Sequence, residues 1–364
     1  EDILARHDLK PPRTWTEVHQ VVEALRGIRD QGSYSWQPLA QPLAKGWAAP
    51  LLLARSAAYL RDPRRYSDLF ELGSMRPLIA EPPFVRGLGE LLADEPDSKS
   101  VGRNKSAQFR QPTATSNLDP SLESVGRNKS PQFRQPTTIS NLDLSPEGVF
   151  QSVRDGQAVL GVACFPELPS VGPTSDDTND WAGIEFAILP GSLDTFHFAD
   201  SQWHTEDQIR SASLVGATGY VGVVLRGTPR QRAAWNLLVR MSGKRWGSSL
   251  LADSGVAWPC RTSHLNDLRQ WLPLPIQERA LLSFRSSIVE TYSDTLALVV
   301  PRLPHSEEFL SALDDHVRSA VRTNAEPQAE LQKVAEEWNA ILQSDDSIDW
   351  VSAYLRQLHV EDWP

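Results

Sequence analysis

Residues 216–222, GATGYVG, carry the pattern with the sharpest chemical reading in this chain. Glycines at such spacing let a backbone approach a pyrophosphate, provided a helix opens directly behind them and presents its N–H groups. The chemistry would be nucleotide binding, with a carboxylate about 20 residues on to hold a ribose. The neighbouring residues do not supply that context. Val221, Gly222, Val223 and Val224 favour a strand, read here over Tyr220 to Leu225, and Gly227-Thr228-Pro229 then breaks the chain. Trp235, Asn236, Leu237 and Leu238 stand where the acid is required. A helix is expected only after the break, because Ala234, Leu237, Leu238 and Met241 recur at helical spacing. Thr228 is placed to cap it, Pro229 suits its first position, and Ser242-Gly243 stops it.

Two histidines raise metal chemistry. His197 and His204 lie seven residues apart, with Asp200, Glu206 and Asp207 near them. A metal site needs closely spaced ligands on a defined element. This run reads as a polar loop, so both are expected to be solvated loop histidines, with no metal. Cys164 and Cys260 read either as small buried hydrophobes or as a disulfide of an oxidising compartment. Their distance in sequence does not choose between the two. The chain has no P-loop, no HExxH, no Gly-x-Ser-x-Gly elbow and no metal-spaced Cys/His cluster. No covalent catalysis and no cofactor are expected.

Tryptophan offers a third chemistry, since its face stacks on the apolar C–H faces of sugars. The chain has 12 Trp. Trp47 follows Gly46 at the head of a helix rich in Ala and Leu, where it either meets a ligand or packs into core.

The elements that must position these residues follow from pattern. Thr14 and Glu17 make a capping box after Pro11-Pro12, and Trp15, Val18, Val21, Val22 and Leu25 line one face of the helix behind it. A loop holding Arg61, Arg64 and Arg65, read as solvated, leads to Pro82-Pro83 and a helix through Phe84, Leu88, Leu91 and Leu92. Ser145-Pro146-Glu147 starts another helix, Gly156 closes it, and Ala158 to Cys164 reads as a buried strand. Residues from Trp181 to Leu189 alternate into a strand ending at Pro190-Gly191. Phe309, Leu310, Leu313, Val317 and Val321 give one apolar helix face, and Leu331, Val334, Ala335 and Trp338 the next. A short helix through Trp350, Tyr354 and Leu358 ends the pattern.

Residues 100–123 and 124–147 are tandem copies with a period of 24. Two copies with one Phe and two Leu each cannot stack into a solenoid. So little apolar surface does not offset ordering entropy, and a loosely held insertion is expected. Asn104-Lys105-Ser106 and Asn128-Lys129-Ser130 spell glycosylation acceptors, a triplet common by chance.

Composition narrows the class. The chain of 364 residues is 40% hydrophobic and 23% charged, as in a globular protein of two or three domains. Its net charge of −10 argues against a nucleic-acid partner. No run approaches 18 consecutive apolar residues. The first residue is Glu1, so the chain is expected to be processed, cut or partly covered.

Taken in order, these segments resemble the extracellular solute-binding proteins of sugar-type ABC importers, the maltose-binding-like family. HDLKPPRTWTEV matches that family's "LGLKPPKTWDEL", AILPGS its "gvaplPGs", and Pro259 and Arg261 its "g.lPvr.s". Residues 216–243 match its re-entering strand, turn and helix ending near "LSG", and 304–342 match its closing helices. The resemblance implies an α/β fold, a periplasmic-binding-protein-like (type II) two-lobe architecture. The KPPRTW segment lies well inside the family's chains and at the start of this one, so the first lobe is expected to be incomplete. Residues 1–200 would form the second lobe, with 97–144 inserted. Residues 205–262 would return to the first lobe, and 263–364 would supply helices packing on the second.

The resemblance assigns Trp47, Phe165, Thr218, Tyr220 and Trp258 to a ligand site. Phe165 sits at a strand exit whose family aromatic reaches the ligand, although no Trp follows it here. The implied partners are a small solute of the sugar class and a membrane permease, with no nucleic acid. The implied location is periplasmic or anchored at the cell surface, with the signal segment outside this chain. Two other readings stay open: an NAD(P)-dependent oxidoreductase built on GATGYVG, and a truncated remnant acting as an interaction module.

Overall fold

The Thr14 half of the capping box forms as its residue type requires, while Glu17 reaches back past the N-cap to Arg13. In the computed structural model, Glu17 N donates to Thr14 Oγ1 at 3.1 Å, and Arg13 N to Glu17 Oε2 at 2.6 Å. The structure describes residues 2–31, 36–60, 67–95, 140–163, 183–217, 222–243, 246–247, 261–270, 277–294 and 297–358. In chain order its helices are α1 Asp2–Arg6, α2 Trp15–Gln31, α3 Ala48–Ala57, α4 Pro82–Asp94, α5 Pro146–Arg154 and α6 Gln231–Met241. There follow α7 Thr262–Leu265, α8 Glu278–Ser293, α9 Ser306–Thr323, α10 Pro327–Ser344 and α11 Trp350–Gln357. The strands are β1 Gln37–Ala40, β2 Ala158–Gly161, β3 Ser192–His197, β4 Gln202–Arg210, β5 Leu214–Val215 and β6 Leu298–Val299.

The buried face of α2 is Trp15, Val18, Val21, Val22 and Leu25, the stripe that periodicity predicts. It covers β1, which runs parallel to β2 with Gln37 opposite Ala158 and Leu39 opposite Leu160. α5 leads into β2. Ser145 Oγ caps it by accepting from Gly148 N at 3.2 Å, and Gly156 turns the chain at φ +69°. β3 and β4 form an antiparallel hairpin, and β5 pairs in parallel with β6. Among the described residues these three two-stranded pairs are the sheets.

A helical core carries most of the packing. Every residue of α3 is buried, Arg55 and Ser56 included. A helix apolar on all sides must be enclosed, and α4 and α9 pack against it. Phe70 lies at the centre of the layer formed with α9, α10 and α11. Its ring stacks on Trp338 at 5.2 Å and meets Phe309 and Tyr354 edge-on. Trp338 keeps its indole N–H satisfied by donating to Phe309 O at 2.9 Å. No helix among the described residues is long and apolar enough to cross a membrane.

Several sequence expectations give way. The strand expected over Tyr220–Leu225 is irregular from Gly222 to Leu225, and residues 218–221 lie outside the described set. Residues 184–190 form no strand either; a single bridge joins Thr14 to Gly191. Alternation alone cannot make a strand without a neighbour to receive its N–H and C=O groups. The buried strand expected over 158–164 is four residues long, and only Ala158 is buried. α6 begins at Gln231 with Arg230 as an uncapped N-cap, so Thr228 does not cap it and Pro229 lies in the preceding turn. α6 also buries none of its residues: Trp235 is 60% and Leu237 53% exposed. The helical periodicity is real, but no described layer opposes its apolar face.

Candidate functional site

Trp47 is the one predicted ligand residue among those described. It is half-buried at the head of α3, with φ −113° and ψ −19°. Gly46 before it adopts φ +88°, a left-handed turn that a Cβ would strain although space around it is open. The helix head is already neutralised. Asp314, buried on α9, accepts from Gly46 N at 2.9 Å, Ala48 N at 2.8 Å and Ala49 N at 3.2 Å. A carboxylate therefore stands where orphan N–H groups and the helix dipole would otherwise draw an anion. What Trp47 offers a ligand is the exposed part of an indole on a rigid element. Phe165, Thr218, Tyr220 and Trp258 lie outside the described residues, as do Cys164, Cys260, Arg61, Arg64, Arg65 and the glycosylation triplets.

Beside the second half of α3 lies a buried polar network that pattern reading missed. Arg55, fully buried, donates through Nη2 to Asp94 Oδ2 at 2.6 Å and Gln41 Oε1 at 2.7 Å. Its guanidinium lies 4.3 Å from the centre of the Trp15 ring. Glu95 Oε1 accepts from Gln41 Nε2 at 3.0 Å and Asn141 Nδ2 at 2.8 Å. Burial of that carboxyl raises its pKa to about 7, against the lowering effect of the donors Asn141 and Gln41. Glu95 and Asn141 flank the segment holding most of the tandem repeat, so this bond ties its two ends together. The available signal was a lone arginine inside LLLARSAAYL.

A second cluster fastens the β3–β4 hairpin. The Arg86 guanidinium sits 4.5 Å from the Tyr59 ring centre and 4.9 Å from that of Trp203. It pairs with Glu90 at 3.0 Å and Asp194 at 3.0 Å. Tyr59 Oη donates to Glu90 Oε2 at 2.5 Å, and burial raises the Tyr59 pKa well above the usual phenol range. With its donors engaged by two carboxylates, Arg86 acts as a clamp between α4 and the hairpin.

The histidines are not on a loop. His197 ends β3 and His204 lies on β4, with Thr195 opposite His204 and His197 opposite Gln202. The two rings stack at 4.0 Å and 16°. Asp200, in the turn, meets His204 Nε2 through Oδ2 at 2.8 Å, and this hydrogen bond holds its pKa below the usual carboxylate range. The sequence signal was present: aromatic residues and histidines alternate on either side of the polar turn in FHFADSQWH.

The glycine stretch does not open a helix. Gly216 takes φ +83°, and a Cβ there would meet Arg302 Nη2 at 2.7 Å. From Gly222 the chain runs irregularly to α6. A shallow hollow of about 290 Å³ at the start of α6 is lined by Val224, Gln231, Arg232 and Trp235, with neither Gly216 nor Gly222 in its wall. The juncture that a pyrophosphate fingerprint requires is therefore missing among the described residues.

No family model matches the chain. No curated protein sequence matches it. Solved structures do. Maltose-bound MalE3 of T. maritima aligns with a TM-score of 0.53 at 12% identity, covering 93% of this chain and 68% of that one. An ABC transporter solute-binding protein from Agrobacterium radiobacter, in complex with ribitol, aligns with a TM-score of 0.52 at 14% identity, covering 93% and 67%. At such identities the likeness speaks to architecture. The chain has the α/β fold of periplasmic solute-binding proteins.

Proposed function

We propose that this chain is the solute-binding component of an ABC importer, holding a sugar or similar polar solute in a cleft between two lobes. The observation that carries the reading is a shared fold over 93% of the chain with proteins solved holding maltose and ribitol. Trp47 supports it, as a half-buried aromatic on the head of a rigid helix. In this reading Trp47 stacks on the solute, and Phe165, Thr218, Tyr220 and Trp258 complete the site. Polar groups fix the hydroxyls and the lobes close. The closed form then docks on a permease, at the periplasmic face or anchored on the cell surface. The division into residues 1–200, 205–262 and 263–364 belongs to the same proposal.

Calorimetric titration with maltose, ribitol and related sugars and polyols tests this. The intact chain is expected to bind at least one of them, and Trp47→Ala to weaken that binding by about tenfold or more, as loss of a stacking aromatic does. Unchanged affinity removes Trp47 from the site.

The exposed face of α6 also favours a second reading, in which the first lobe stays incomplete, no solute is held, and the chain acts as an interaction module. A cooperatively folded chain with no affinity for any sugar or polyol would select it. The oxidoreductase reading loses its premise, because Val223 to Arg230 separate the glycines from α6. NAD(P) titration is expected to show no binding that Gly219→Trp abolishes.

A further inference from the structure

We propose that His197, Asp200 and His204 form a binding site for a divalent first-row transition ion, with zinc as the best-suited class. The inference is independent of the solute reading, because it rests on side chains at the tip of the β3–β4 hairpin.

Three observations converge. First, one ligand atom from each of the three residues lies within 4.8 Å of the others. Tetrahedral zinc, with bonds of about 2.0–2.2 Å, separates its ligands by roughly 3.3–3.5 Å. The difference is small enough to be closed by rotation at the Asp200 and His204 side chains, which are 49% and 43% exposed. Second, the hairpin register builds the cluster. His197 and His204 are diagonal neighbours on one face of an antiparallel pair, and Asp200 reaches up from the turn between them. Asp200 is itself oriented, since its Oδ1 accepts from Gln202 N at 3.1 Å. That leaves Oδ2 facing the imidazoles, as an oriented ligand should. Third, His197 Nε2 is buried and has no hydrogen-bond partner among the described residues. Its closest carboxylate is Glu206 Oε1 at 3.8 Å. A buried ring nitrogen without a partner is a destabilising defect unless something else satisfies it.

The donor set fixes the class of ion. Two imidazoles and one carboxylate suit zinc and its first-row neighbours, whereas calcium and magnesium require oxygen ligands. Three protein ligands leave a fourth position, for water or for Glu206, whose other oxygen accepts from Arg210 at 3.1 Å. The ion would also brace a larger contact. The same strands carry Phe196 and Trp203, which meet each other edge-on, and Trp203 meets Tyr59 and Arg86. Pinning the tip would fix the hairpin against α4.

The test titrates the untagged full chain with Zn²⁺ by calorimetry and with Co²⁺ by visible absorption. The expected result is one ion per chain and a ligand-field band for cobalt. His197→Ala, Asp200→Asn and His204→Ala should each weaken binding by about tenfold or more. His7→Ala, at an exposed histidine outside the hairpin, should leave it unchanged. Zn²⁺ should raise the thermal midpoint of the parent chain and not of the His204→Ala chain. Asp200→Asn keeps the acceptor for Gln202 N, so this variant preserves the turn. Either failure of the parent chain to bind at submillimolar Zn²⁺, or affinity equal to the parent's in all three hairpin variants, would overturn the site.

Discussion

A single carboxyl shows what residue type alone does not convey. Glu95 follows α4 directly and reads as an ordinary charged residue before a polar insertion. In the fold its carboxyl turns inward onto Gln41 and Asn141, beside the Arg55–Asp94 pair. Burial raises its pKa from 4.5 to about 7. Between those values the folded chain retains a proton that the unfolded chain has released. Stability attached to this group is therefore complete below the unfolded value and declines as pH rises to the folded one. Glu95→Gln removes the ionisation and keeps an oxygen acceptor. Urea unfolding should find it close to the parent near pH 4.5 and more stable by about 2 kcal/mol near pH 8. A gain that does not change with pH would show that the carboxyl is solvated.

At the scale of elements, the junction of α9 with α3 decides how the buried helix ends. α3 brings no capping side chain of its own, since Trp47 cannot accept a hydrogen bond from the first turn. Asp314 supplies the acceptor from more than two hundred and sixty residues away in sequence. Asp314→Ala leaves three buried or half-buried N–H groups without a partner, and should destabilise the chain by about 2–3 kcal/mol. Thermal or urea unfolding measures this, and a loss below about 0.5 kcal/mol would show that water replaces the carboxylate. α6 illustrates the opposite condition. Its spacing makes it a helix, yet Trp235 and Leu237 remain exposed because spacing does not provide a partner.

At the scale of the whole molecule, residues 96–139, which hold most of the tandem repeat, lie between two residues that the fold brings together. Glu95 and Asn141 are hydrogen-bonded to each other, and Asn141 Oδ1 also accepts from Gln41 N at 3.2 Å. The two flanking residues are thus joined through the described fold. Loop entropy changes slowly with length, so replacing 100–136 by a short Gly/Ser linker should alter stability by no more than about 1 kcal/mol. Circular dichroism and a urea titration read the outcome. A loss of several kcal/mol would mean that the repeat packs on the body.

What the sequence determined by itself was local. The Thr14 cap, the α2 stripe and the faces of α9 and α10 follow from spacing, because a helix closes its hydrogen bonds within itself. The order of those segments also pointed to the solute-binding fold that the solved structures support. Tertiary structure decided the rest. Residues 184–190 and 222–225 have strand-like composition and no ladder, because a strand requires a neighbour that its own residues do not specify. Likewise, Arg55 with Asp94, Asp314 with α3, and His197 with His204 meet only when distant segments or paired strands are brought together. Polar chemistry in this chain depends on those meetings, and periodicity, which records only which way a residue faces, contains no information about them.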